Sequence, residues 1–236
     1  MASPELADRR LEGRRVVVFG GSGALGLAVV GRLAAEGAAV VSVDVALPPD
    51  DRRSESISYG EANALDEASV AAVFGGLEGD LWGVVNVVGG YSAGEPLAEL
   101  DLGTLRGQID LNLVTAATIT KHAAVTLTGQ GAGGRILHTS SRAAVSDGKL
   151  SFPYSVSKFG VVRLVEAAAA EMRDHGICVN CLLPSVIDTP ANRAAMPSSD
   201  HAKWPKPSEL AGVFAFLLSE EAGLISGAAI PVYGRA

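Results

Sequence analysis

VVVFGGSGALGLAVV, residues 16–30, decides the fold. Val16 to Phe19 is a β-branched and aromatic run suited to a buried strand. Gly20, Gly21, Gly23 and Gly26 follow, interleaved with Ser22, Ala24 and Leu25, and the apolar residues then take up helical spacing until Gly37 stops them. Without Cβ atoms the strand can turn tightly into the helix and a pyrophosphate can approach the backbone, while the helix N-terminus receives the phosphate charge. A second apolar run, AVVSVDV (39–45), closes the unit. Strand, glycine turn, helix and strand thus fit within about 30 residues, the length of a βαβ unit.

Asp44 ends that second run, 18 residues after Gly26. This is close to the spacing at which a carboxylate accepts hydrogen bonds from the adenosine ribose hydroxyls, and it would repel a 2′-phosphate. The next basic residues are Arg52 and Arg53, so NAD(H) is expected in preference to NADP(H).

Outward from this unit the alternation continues. Helical patterns at 64–77, 104–128, 154–175 and 209–221 alternate with apolar runs at 81–90, 134–141, 177–184 and 227–233. The α/β class follows, as a doubly wound parallel sheet (Rossmann fold) with right-handed crossovers in a single domain over 15–236. Residues 1–14 are polar and read as a loose arm. Residues 190–208, rich in Pro and Ser, read as a lid over the substrate.

Composition agrees and excludes other classes. Of 236 residues, 48% are hydrophobic and 19% charged, which suits a sheet covered on both faces. The net charge of -7, with scattered basic residues, excludes a nucleic-acid partner. No apolar stretch approaches about 18 residues and the start has no apolar signal region, so neither a membrane span nor export is expected and the location reads as cytoplasmic. Cys178 and Cys181 fall in a strand whose alternation sends them to opposite faces, so no metal or redox site is expected.

The segment SSRAAVSDGKLSFPYSVSKFG (140–160) carries the chemistry. Tyr154 and Lys158 stand four apart at a helix start and share one face. A phenol working near neutrality needs its pKa lowered by about 3, or about 4 kcal/mol, which one cation about 4 Å away at an effective dielectric of 20 can supply. Lys158 and an oxidised nicotinamide are the available cations.

Together, the glycine turn, Asn86-Val87-Val88-Gly89, Asn112, Ser141, the Tyr154/Lys158 pair and LPSVIDTP (183–190) resemble the short-chain dehydrogenase/reductases over nearly the whole chain. The resemblance implies an NAD(P)(H)-dependent oxidoreductase acting on a small carbonyl or alcohol substrate. It assigns carbonyl polarisation to Ser141, proton transfer to Tyr154, lowering of the phenol pKa and a nicotinamide ribose contact to Lys158, and a water in the proton relay to Asn112. It implies cofactor contacts from Gly20 to Gly26, Asp44, Asn63, Ala64, Asn86 to Gly89, Pro184, Ile187 and Thr189. Substrate contacts fall to Tyr91, Ser92, 145–152 and the lid with Met196 and Trp204, and the assembly implied is a homodimer or homotetramer. Local similarity to dihydropteridine reductases gives an alternative, NADH-dependent reduction of a quinonoid ring, although Ser141 argues for a carbonyl or alcohol. A non-catalytic dinucleotide sensor is a third possibility.

Overall fold

The protein is described by a computed structural model covering residues 9–235. Seven strands form one parallel sheet: β1 (Arg15–Phe19), β2 (Ala39–Asp44), β3 (Ser58–Glu61), β4 (Leu81–Asn86), β5 (Gly134–Thr139), β6 (Ile177–Pro184) and β7 (Ala229–Val232). Their spatial order is β3-β2-β1-β4-β5-β6-β7, so the winding reverses between β1 and β4. In an open α/β sheet, ligands bind beyond the carboxyl ends of the strands at such a switch point.

Strand alternation divides the core in two. Val17 and Phe19 of β1 face one layer, with α2 (Glu67–Gly75), α4 (Thr115–Gln130) and α5 (Phe152–Met172). Val16 and Val18 face the other, with α1 (Ala24–Ala35) and α7 (Pro207–Leu218). Burial on both faces explains the continuous apolar runs of the central strands. Two short helices complete the set, α3 (Leu102–Ile109) and α6 (Pro190–Ala195). Among the described residues, no helix is long and apolar enough to cross a membrane.

Four local features depart from the sequence expectations. The helix expected over 104–128 is divided: α3 ends at Ile109, a π-helical turn runs from Asp110 to Val114, and α4 follows. Strand β3 is an edge strand of four half-exposed or exposed residues, Ser-Tyr-Gly-Glu, too polar to register as an apolar run. The described part of the expected loose arm is tied down. Leu11 is fully buried, and Arg10 makes a two-point ion pair with the buried Glu36 (3.0 and 2.8 Å). The segment 190–208, expected as a lid, contains α6, capped by Thr189, which accepts from the Asn192 N–H (3.2 Å).

Candidate active site

The glycine turn lies at the switch point. Gly20 has φ +82°, and a Cβ there would come within 2.9 Å of the Val88 nitrogen at the end of β4. A Cβ on Gly26 would stand 2.0 Å from the Gly20 carbonyl oxygen, so α1 can pack against the strand end only with glycine there. Gly23 is the N-cap of α1 and supplies no side-chain cap, which leaves the first-turn N–H groups for an anion. Ala24 begins the helix and Leu25 packs towards the α1/α7 core.

Asp44 reaches the same turn from β2. Its Oδ2 accepts from the Ser22 N–H (2.9 Å) and its Oδ1 from the Val45 N–H (2.8 Å). Each carboxylate oxygen retains a further acceptor position for a hydroxyl. Of the two cofactor contacts expected after β3, Asn63 is exposed and its Oδ1 accepts from the Leu65 N–H (3.0 Å), while Ala64 turns into the core. Ala64 therefore has only its backbone to offer.

Across the crevice, Gly89 follows β4. A Cβ on it would meet Asn112 Oδ1 at 2.7 Å and Lys158 Nζ at 2.8 Å, so only glycine lets the chain after β4 lie this close to both side chains. The π-helical turn carries Asn112 into this space, where its Oδ1 accepts from the Gly90 N–H (3.1 Å). Its Nδ2 lies 3.1 Å from the Gly90 oxygen, Gln108 Oε1 and Ser157 Oγ. Single-turn π segments recur at functional sites because they re-aim one side chain without ending the helix. Pro184 ends β6 nearby, and the Ile187 carbonyl accepts from Asn192 Nδ2 (2.8 Å).

Tyr154 sits in the first turn of α5 beside Ser141, which caps the short turn after β5 and accepts from the Ala143 N–H (3.2 Å). Lys158, one turn on, is buried and donates to the Thr139 carbonyl (3.0 Å), with Nζ 5.9 Å from the Tyr154 ring centre. Burial pushes the lysine pKa down to about 8, partly opposed by the neighbouring Cys181. The Tyr154 phenol moves in the direction opposite to expectation: burial raises it, a hydrogen bond with Ser141 pulls it down, and Tyr91 raises it further. Desolvation disfavours both charged forms and is the largest influence on each.

Several site residues escaped the sequence reading. Gln108, Gly90 and Ser157 fix Asn112, and Thr139 supplies the lysine acceptor. Only their proximity in the chain to Asn112, Gly89 and Lys158 could have signalled them. Tyr91 was expected near the substrate; its ring packs edge-on against Tyr154 at 4.9 Å. The Gly94 N–H donates to the Leu150 carbonyl (2.8 Å), joining the two loops that flank Tyr154. In the segment 190–208, Trp204 is buried and packs on His201 (4.6 Å), while Met196 accepts from His201 Nε2 through its carbonyl (2.8 Å). Cys178 and Cys181 are free thiols, and Cys181 belongs to the α4/α5 core.

The short chain dehydrogenase family model matches residues 14–200. The chain is 30% identical over 250 residues to the 2,5-dichloro-2,5-cyclohexadiene-1,4-diol dehydrogenase of Sphingobium indicum, covering 95% of this chain and 97% of that protein. It is 32% identical over 239 residues to the cis-4-hydroxycyclohexanecarboxylate dehydrogenase of Sinomonas cyclohexanicum, covering 94% and 95%. A solved short-chain type dehydrogenase/reductase from Mycobacterium ulcerans superposes with a TM-score of 0.87 at 26% identity, covering 95% of this chain and 90% of that one. Glycine turn, switch-point crevice and full-length likeness agree: this chain belongs to the short-chain dehydrogenase/reductase family of oxidoreductases.

Proposed function

We propose that the protein interconverts a small alicyclic secondary alcohol and its ketone with NAD(H), in preference to NADP(H), and that Tyr154 carries the proton. The observation that carries this reading is the meeting of Tyr154, Ser141 and Lys158 beside Gly89, where the chain after β4 lies against the Gly20 turn. Gly20 to Gly26 and the α1 N-terminus fit a pyrophosphate, Asp44 fits the adenosine ribose hydroxyls, and Lys158 fits the nicotinamide ribose. Val87 to Gly89, Pro184, Ile187 and Thr189 border the place of the nicotinamide. When bound, the nicotinamide supplies or accepts the hydride.

The protein's own part is to place and move a proton. The Ser141 hydroxyl donates to the substrate oxygen, and the Tyr154 hydroxyl gives or takes the proton at that same oxygen. A buried phenol is held above its ordinary value, so the ammonium of Lys158 must be charged for Tyr154 to ionise near neutrality. Asn112, held by Gly90, Gln108 and Ser157, orders the crevice behind the lysine.

A ring substrate is favoured by the two relatives named for cyclic alcohols and by the exposed apolar residues Tyr91, Val145 and Leu150 on the flanking loops. Val125 of α4 and Val156 and Phe159 of α5 are also exposed, which supports a homodimer or homotetramer.

The test is a panel of alicyclic secondary alcohols with NAD or NADP, read by absorbance of the reduced nicotinamide. Turnover of a ring alcohol, faster with NAD and cut about 10²-fold in Ser141→Ala, is expected. Turnover confined to quinonoid pterins or quinones, with Ser141→Ala silent, would refute it.

A further inference from the structure

One row across the sheet reads Phe19, Asn86, His138 and Cys181, from β1, β4, β5 and β6 in register. Phe19 and Cys181 belong to the apolar core beneath α4, yet the two residues between them are polar and buried, Asn86 at 2% and His138 at 0% exposure. Buried polar groups in such a place persist only when hydrogen-bonded, and their bonds fix them in one arrangement.

The proton positions follow from the partners. Thr120 Oγ1 donates to the Ala116 carbonyl (2.7 Å), which can only accept, so toward His138 Nε2 (2.9 Å) the threonine oxygen accepts. Nε2 therefore carries the hydrogen. Burial, with the charge of Lys158 nearby, pushes the imidazole pKa down to about 3, so the ring is neutral and Nδ1 accepts. Its donor is Asn86 Nδ2, at 3.2 Å. That fixes the amide orientation and leaves Asn86 Oδ1 to accept from the Val88 N–H (3.0 Å).

Val88 and Gly89 follow β4, Val88 lying against the Gly20 turn and Gly89 against Asn112 and Lys158. We propose that His138 is a positioning residue: through Asn86 it fixes the Val88–Gly89 backbone against which the dinucleotide lies. This inference rests on the dinucleotide reading above. It gives the imidazole a task in the core that packing alone would assign to an apolar side chain.

The experiment is a fluorescence titration of the full chain with NADH, for wild type, His138→Leu, Asn86→Leu and the double variant. One neutral hydrogen bond corresponds to about a tenfold change. Each single variant is expected to raise the NADH Kd about tenfold, and His138→Leu is expected to keep kcat at saturating NADH within about threefold of wild type. The double variant is expected to be no weaker than either single one, because both act on one link. An unchanged Kd in folded His138→Leu, or losses that multiply in the double variant, would overturn the proposal.

Should the variants fail to fold, ¹⁵N spectra of wild-type histidines at pH 7 decide. A neutral Nε2–H ring for His138 is expected, and an Nδ1–H or charged ring overturns the proposal. If wild type binds neither NADH nor NADPH, the dinucleotide reading fails and this inference with it. If wild type binds and the variants bind equally, only the inference fails.

Discussion

Lys158 should destabilise the protein that uses it. Its ammonium is buried at 4% exposure, and its pKa falls from 10.5 to about 8. At about 1.4 kcal/mol per pH unit, burying the charged form costs about 3 kcal/mol relative to the neutral amine. Lys158→Met keeps the packing stem, removes the charge and forfeits the bond to the Thr139 carbonyl, a loss of about 1 kcal/mol. The variant should therefore be more stable than wild type at pH 7 by about 2 kcal/mol, or about 4–8 °C in Tm, while losing turnover.

The pH dependence identifies the cause. Below pH 8 both folded and unfolded chains carry the lysine proton, and the burial cost is fully present. Between about 8 and 10.5 the folded chain releases the proton while the unfolded chain keeps it, so wild-type stability rises relative to the variant. Urea denaturation at pH 7, 8.5 and 10 should show the variant's advantage shrinking and then reversing. A variant less stable than wild type at pH 7, or an advantage that does not change with pH, would refute the reasoning.

Two further predictions concern the cofactor end. Gly26→Ala should lower Tm by several degrees and abolish NADH binding, because its Cβ would lie 2.0 Å from the Gly20 oxygen; Gly23→Ala, whose Cβ meets that oxygen at 3.6 Å, should keep the wild-type Tm. Thermal melts with NADH titrations distinguish them, and equal melting losses would contradict the packing argument. Asp44→Ala should weaken NADH binding by about 10–100-fold, the worth of hydrogen bonds to a charged acceptor, and narrow the preference over NADPH. An unchanged ratio of the two Kd values would show that Asp44 only braces the turn through Ser22.

What the sequence made legible was periodic. The central strands are apolar on both faces, so β1, β2, β4, β5 and β6 stand out as runs, and the glycines of the turn stand out because Gly20 and Gly26 tolerate no Cβ. Strand β3 was hidden because an edge strand of Ser-Tyr-Gly-Glu has no core face to fill. The π-helical turn at Asn112 changes the backbone ladder without changing apolar spacing, so 104–128 reads as one helix. Leu11, a single apolar residue in a charged stretch, gave no periodic signal that it anchors the chain beside Glu36. Spacing put Tyr154 and Lys158 on one helix face, while Ser141 joined them only through the family resemblance. Its electrostatics were not, because the direction of the Tyr154 shift depends on burial, which a pairwise estimate between phenol and ammonium leaves out.

The central claim is that Tyr154 moves a proton beside a bound dinucleotide, and Tyr154→Phe tests it most directly. With the alicyclic alcohol best turned over by wild type, the NADH Kd should stay within about threefold while kcat falls at least about 10²-fold, the contribution expected of a positioned general acid–base. Turnover retained by the phenylalanine variant, or lost only because NADH no longer binds, would contradict the account.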